Sequence, residues 1–420
     1  MTIPSPDSLS DYCLSALLRC HRAQHSQGWQ SQTPRAKVED REELLLRWAL
    51  SDDLRRIAER VTARPRDIRS AIAFETRIYS GHIPGSVDAR ATLFEQELTG
   101  DPTQFVVSEP SLSPLTRRNH VLAWVLREAE SLIISAMRRH KLGPDQEWIH
   151  GRASLIEQAT RSKLLREVML SAAGRRRPGS AEIRDARKSL SPIYRMASDV
   201  MLAFEGIERF EPEAIRAVLS STLIAQLEDW QKLELSAGLA MAEALAAACE
   251  SPIRWKGSIT GGSEIASVGR YRIHWQMALP KRSSAQLDAS EIMVRKAAEA
   301  LDAGLGSART DITVIDDHTG INISHLECKW FGSPSSANSA ITDAIEQLVR
   351  YCRDSRPDCI TSAESLLSDC AAVISGLSGF DESLDGTKPV GLTDFVSLTN
   401  GRLAQLAARL HAKATLVLVA

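Results

Sequence analysis

At 420 residues, with 43% hydrophobic and 25% charged side chains, the chain has the composition of ordinary soluble globular proteins. That excludes a wholly disordered, collagenous or membrane-embedded protein. The length exceeds what one hydrophobic core usually sustains, so two domains are expected, and a net charge of −2 from 51 basic and 53 acidic residues decides no partner by itself.

Residues 1–9 are polar and carry prolines where a secretory leader needs a basic start and an apolar run. No apolar stretch reaches the roughly 18 residues of a membrane span; the nearest, 237–249, is interrupted by Glu243. A cytoplasmic protein with no membrane partner is expected. The seven cysteines show no paired CxxC spacing, so reduced thiols are the simplest reading. Cys20, His21 and His25 approach a ligand pattern but lack a second pair, and they read as an ordinary helix turn.

From Leu9 to about Ala73 the apolar spacing is helical, with a break over Ser26–Pro34. Between Phe74 and Val107 the period shortens among glycines and prolines, which predicts a small sheet. Arg118–His140 predicts a long amphipathic helix, Gly174–Ser191 an exposed connection and Pro192–Phe204 another helix. Two basic clusters, Arg138, Arg139, His140 and Lys141, then Arg175, Arg176 and Arg177, suit either phosphate contacts or a solvated surface. A boundary is expected near 220, with 1–221 a mainly helical targeting or partner-binding region and 222–420 a second domain.

The second region alternates elements. The pattern predicts helices at Leu223–Cys249, Glu291–Ala303, Ala340–Arg353 and Arg402–Ala412. Strands are expected at Ile253–Ile259, Tyr271–Leu279, Asp311–Ile315, Ile321–Phe331, Ala371–Ser375 and Thr415–Val419. The fold class is therefore α/β.

Asp317-His318-Thr319-Gly320 makes a favourable turn between two strands, so Asp311–Ile315 and Ile321–Trp330 form a hairpin. Strand side chains alternate, hence Glu327 and Lys329 project from one face, which Asp311 can reach from the partner strand. Two converging carboxylates suit Mg²⁺ or Mn²⁺, and an adjacent ammonium can orient water and offset charge developing on a phosphate. The flanks Ile312, Val314, Ile321, Ile323, Leu326 and Trp330 would bury the hairpin, so charges at its centre need a purpose. On the helix before it, Glu234 falls within a stripe of Leu227, Trp230, Met241 and Leu245, opposite Glu228, Glu243 and Glu250. It reads either as an outer ligand or as one half of a buried salt bridge. After the hairpin, Gln347 and Tyr351 lie four apart on one helix edge, both able to face the same site.

A helix glutamate, an Arg-x-Asp strand start, Glu327-Cys328-Lys329 and a following Gln-x-x-x-Tyr helix resemble the PD-(D/E)xK nuclease superfamily, and the Gln/Tyr pair resembles its RecB-like branch. The resemblance implies a restriction-endonuclease-like core over 222–420, with a mixed central sheet and flanking helices. It also implies Mg²⁺ or Mn²⁺ held by Asp311, Glu327, Glu234 and the backbone carbonyl of Cys328, with Lys329, Gln347 and Tyr351 beside it. Thr310 stands where the family name has proline.

In the first half, Gly85-Ser86-Val87-Asp88-Ala89-Arg90-Ala91-Thr92 and Thr116-Arg117-Arg118-Asn119-His120-Val121-Leu122 resemble segments of McrC-type restriction subunits. That likeness implies DNA and a separate AAA+ motor subunit as partners. The chain has no Gly-x-x-x-x-Gly-Lys-Ser/Thr loop of its own, and Gly304–Gly306 reads as a turn. A metal-dependent DNA endonuclease of a restriction or anti-phage system is expected. A catalytically silent nuclease-like scaffold is the alternative, and RNA cleavage, exonuclease action and oligomerisation stay open.

Overall fold

The computed structural model describes residues 6–26, 34–140, 147–255, 264–280, 292–293, 296, 309–330, 337–356, 360–375, 384 and 388–419. The chain forms two compact units, one of residues Leu45–Ala214 and one that joins Met1–Leu44 to Ile215–Ala420. Helix α1 (Pro6–Ser26) therefore belongs to the unit that holds the C-terminal half, and the boundary falls inside α2 (Pro34–Ala49). Among the described residues no helix is long and apolar enough to cross a membrane.

The Leu45–Ala214 unit continues with α3 (Asp52–Ala63), β1 (Ala71–Ser80), β2 (Ser86–Val87), α4 (Ala89–Thr99) and β3 (Gln104–Ser113). Ser51 caps α3 by accepting from the Leu54 amide, and Leu54, Ile57, Ala58 and Val61 bury one face at threes and fours. The small sheet has the order β1-β3-β2, all antiparallel, with Ala71 opposite Ser113. Then come α5 (Arg117–His140), α6 (Glu147–Thr160), α7 (Lys163–Leu170), α8 (Ser180–Arg187), α9 (Pro192–Glu208) and α10 (Pro212–Thr222), the last crossing into the other unit.

Here the exposed connection expected at Gly174–Ser191 is corrected. It contains α8, whose Ile183 and Ala186 are buried. Its polar composition hides the helix because Glu182 is held from inside, by the Gly179 amide, the Arg176 guanidinium and His120. Arg177 pairs with Glu208 and lies over the rings of Trp124 and Phe204. Of the second basic cluster, two arginines are thus engaged within the fold. In the first cluster Lys141 and the side chains of Arg139 and His140 lie outside the described residues, as do the side chains of Cys20, His21 and His25.

The other unit holds α11 (Asp229–Ala248), β4 (Ile253–Trp255), β5 (Glu264–Val268), β6 (Tyr271–Trp275), β7 (Ile312–Asp316) and β8 (Ile321–Lys329). After them come α12 (Ala337–Ser355), α13 (Ile360–Leu367), β9 (Ala371–Ile374), β10 (Gly391–Asp394), α14 (Phe395–Thr399) and α15 (Ala404–Val419). The seven strands form one sheet in the order β10-β9-β8-β7-β6-β5-β4. It is antiparallel from β4 to β8 and parallel from β8 to β10. The expected mixed sheet with flanking helices is the observed one. The β7–β8 hairpin closes through Gly320 in the left-handed region at φ 68°, which favours glycine.

Two expected elements differ. Thr415–Val419 is the end of α15, not a strand: Leu403, Leu406, Ala407, Leu410 and Ala414 keep the helical spacing of buried residues, and extending a formed helix is easier than starting a new element. The helix begun at Leu223 starts instead at Asp229 after a short 3₁₀ turn. The expected helix Glu291–Ala303, the strand residues 256–259 and Gly304–Gly306 lie largely or wholly outside the described residues.

Helix α11 is buried nearly all round from Leu233 to Ala242, while Trp230, expected in its stripe, is 45% exposed. The sheet lies on one side, close enough that a Cβ at Gly238 would come 2.6 Å from Ile265 Cδ1 and 2.9 Å from Ile312 Cδ1. Helix α1 lies on another, where Cys13 Sγ sits 3.2 Å from Ser236 Oγ and Arg19 Nε donates to Glu243 at 2.8 Å. This packing fixes the helix that carries Glu234.

Candidate active site

The β7–β8 pairing runs from Asp316 opposite Ile321 to Ile312 opposite Leu326. Asp311 lies one residue beyond it, in a bend before β7 and not on the strand itself. The ladder has stopped there, so the Cys328 amide donates to Asp311 Oδ2, at 2.6 Å. On either side of Cys328, Glu327 is buried and Lys329 half-buried, and Lys329 Nζ donates to Glu327 Oε1 at 2.8 Å. Glu327 Oε2 is buried and, among the described residues, accepts no hydrogen bond.

Glu234 reaches the same place from α11. It is 4% exposed, and its Oε2 accepts from Trp275 Nε1 at 2.6 Å and from Gln276 Nε2 at 2.9 Å. Among the described residues, neutral N–H donors hold Glu234 and no cation pairs with it, while Asp311 and Glu327 lie nearby. From α12, the Tyr351 hydroxyl donates to the Arg309 carbonyl at 2.8 Å and, more loosely, to Gln347 Oε1 at 3.3 Å. The structure thus gathers all six side chains named from the sequence: Asp311, Glu327, Lys329, Glu234, Gln347 and Tyr351.

Three carboxylates in so dry a place are costly to ionise together. Burial pushes the Glu234, Asp311 and Glu327 carboxyls above their ordinary range. The charges of Glu327 and Glu234 push Asp311 further up, and the Cys328 amide and Lys329 act against that. Lys329 likewise opposes the rise at Glu327. The Tyr351 hydroxyl is raised by burial and then by Glu327 and Asp311, so it stays protonated and donates. Among the described residues no three His, Cys, Asp or Glu side chains are drawn together as a complete ligand set.

Sequence reasoning missed the groups that hold this arrangement. Trp275 and Gln276 read as two alternating members of one strand, which would have placed them on opposite faces. A buried polar chain was missed as well. Thr310 Oγ1 meets Thr313 Oγ1 at 2.7 Å, Thr313 meets His325 Nδ1 at 3.0 Å, and His325 Nε2 meets Ser355 Oγ at 2.9 Å. Burial pushes His325 down to about 3, so the ring is neutral and hydrogen-bonds as such. Ser355 lies one turn beyond Tyr351, so the chain seats α12 against the hairpin.

No protein-family model matches the chain, and no curated protein matches it. Among solved structures it overlaps a half-complex of Thermococcus gammatolerans McrB AAA+ hexamers with bound McrC. The identity is 12%, the TM-score 0.24, and the overlap covers 98% of this chain and 78% of that chain. So loose a superposition carries no functional argument.

Proposed function

We propose that the chain is a metal-dependent DNA endonuclease of the PD-(D/E)xK type, the effector subunit of a restriction or anti-phage system. The observation that carries this reading is that Glu327 and Glu234 lie close enough to the buried Asp311 for their charges to raise its carboxyl, with Lys329 bonded to Glu327 beside them. Structural ion pairs balance their charges, whereas among the described residues one ammonium faces three carboxylates. The surplus of negative charge and the unpartnered Glu327 Oε2 fit a hard divalent cation such as Mg²⁺ or Mn²⁺.

Asp311, Glu327, Glu234 and the Cys328 carbonyl would hold that cation, which supplies Lewis-acid charge to a phosphodiester and to an attacking water. Lys329 keeps its ammonium beside Glu327 and can offer its remaining N–H groups to that water or to the phosphate. Tyr351 ties α12 to the backbone carbonyl of Arg309, two residues before Asp311, and so holds the acidic bend in place, with Gln347 accepting more loosely from the same hydroxyl. DNA as substrate and a separate AAA+ motor as partner follow from the sequence resemblance to McrC-type subunits.

The deciding experiment incubates the purified chain with supercoiled plasmid, linear DNA and RNA in Mg²⁺ or Mn²⁺, with EDTA as control. EDTA-sensitive nicking of the plasmid that disappears in Asp311→Asn is the expected result. Retained DNA binding without cleavage of any substrate would instead favour a silent scaffold.

A further inference from the structure

Three non-glycine residues among those described have left-handed backbone: Phe210 (φ 55°), Glu250 (φ 48°) and Gln276 (φ 52°). The first two come directly after the last turns of α9 and α11, where such a residue closes a helix. Gln276 closes no helix. It follows the last residue of β6 and is 8% exposed, so solvent does not explain its conformation. A long side chain held at positive φ costs free energy, and such positions persist where the surroundings over-determine them.

The side chain of Gln276 shows what the conformation achieves. Successive residues of an extended strand point to opposite faces, so Trp275 and Gln276 could not both reach one carboxylate if the strand ran on. With the chain turned left-handed at Gln276, both donate to the same atom, Glu234 Oε2, at 2.6 and 2.9 Å. An ionised carboxylate only accepts, which fixes the Gln276 amide with its NH₂ toward Glu234. The Gln276 backbone is pinned just as firmly. Its N–H donates to the Asp311 carbonyl at 2.7 Å, and its own carbonyl accepts from Arg309 Nε at 3.0 Å.

One strained residue therefore ties the glutamate of α11 to the bend that carries Asp311. With Oε2 held by two donors, Oε1 is the Glu234 oxygen outside the clamp. We propose that Gln276, acting with Trp275, is a positioning residue that orients Glu234 so that Oε1 is presented beside Asp311 and Glu327 to the divalent cation. The proposal rests on the nuclease reading above and deepens it. Partners that orient a ligating carboxylate commonly govern metal affinity without touching the metal.

The test is a double-mutant cycle read by Mn²⁺ titration calorimetry on the full-length chain, extended to millimolar Mn²⁺. Gln276→Gly and Gln276→Asn both accept positive φ, so the backbone is kept; the first removes the amide and the second shortens it by one methylene. Each is expected to weaken Mn²⁺ binding about tenfold or more where Glu234 is present. Neither should weaken it further in a Glu234→Ala background, because the clamp then has nothing to orient. An equal loss in both backgrounds would mean that Gln276 only supports the fold, and unchanged affinity in the Glu234 background overturns the proposal outright. If the wild-type chain itself binds no Mn²⁺, the metal-nuclease reading fails instead, an outcome separate from the other two.

Discussion

The Cys328 amide donates to Asp311 Oδ2 at 2.6 Å, so the strand that carries Glu327 and Lys329 also holds the Asp311 carboxylate between them. That hold works against the environment, since burial and the neighbouring carboxylates push Asp311 well above its ordinary range. A carboxyl raised in the folded state adds stability below its unfolded pKa, and that stability is lost as pH rises through the folded value. At neutral pH without metal, the ionised form is thus a liability. Asp311→Asn keeps an acceptor for the Cys328 amide and removes the charge. It should raise the stability of the EDTA-treated protein by on the order of 1–3 kcal/mol, while Mn²⁺, expected to raise the melting temperature of the wild type, should no longer raise that of the mutant. A mutant that melts lower in EDTA and still responds to Mn²⁺ would place the metal elsewhere.

Lys329 has a different expected signature. Its ammonium pairs with Glu327 Oε1, and it contributes no oxygen to a metal site. Lys329→Ala should slow cleavage roughly a hundredfold or more if the group acts in the transition state. Mn²⁺ affinity should hold or increase, because Glu327 is released from its only cationic partner among the described residues. Parallel titration and plasmid-nicking assays separate the two effects. A mutant that cleaves at the wild-type rate removes Lys329 from the mechanism.

What could be read from the sequence was local. The hairpin follows from a turn and two alternating strands, Glu327 and Lys329 from the period of one strand, and Gln347 and Tyr351 from the period of one helix. Groups brought together by a break in periodicity were invisible: Trp275 and Gln276 share an acceptor only because φ at Gln276 is positive. Composition misled in two places. Arg-, Gly- and Ser-rich residues around α8 suggested a loop, although the carboxylate of Glu182 satisfies the Gly179 amide at the start of the helix. Apolar Thr415–Val419 suggested a strand, although the spacing of α15 simply continues. Nor does any local pattern tell that α1 packs on α11, whose contacts link residues more than two hundred positions apart.

Glu182 offers an acid-stability prediction independent of the proposed chemistry. Burial favours its neutral form, yet the Arg176 guanidinium, the Gly179 amide and the His120 ring outweigh burial and hold it at about 2, below the usual 4.5. A depressed carboxyl adds stability that is present above its unfolded pKa and is lost as pH falls toward its folded value. The melting temperature of the wild type should therefore drop between about pH 4.5 and about pH 2. Glu182→Gln should start lower at neutral pH and show a shallower fall over that range. Parallel melting curves would count against the assignment.

The unit that holds the candidate site needs more of the chain than its C-terminal half. Residues Met1–Leu44 join Ile215–Ala420 in one compact unit, and Leu9, Cys13, Ala16 and Leu17 of α1 are fully buried. Helix α1 packs on α11, the helix that carries Glu234. A fully buried leucine-sized side chain contributes roughly 1.5–3 kcal/mol, so removing α1 costs several such increments, against a total stability of about 5–15 kcal/mol for a typical domain. It would also expose the apolar face of α11. A fragment beginning at Ala214 should accordingly aggregate or melt without a cooperative transition. Co-producing residues 1–44 as a separate peptide should restore cooperative melting and Mn²⁺ binding, since α1 would again cover α11. The pairing of α1 with this unit is wrong if the fragment alone stays soluble, melts cooperatively and binds Mn²⁺ as tightly as the full chain.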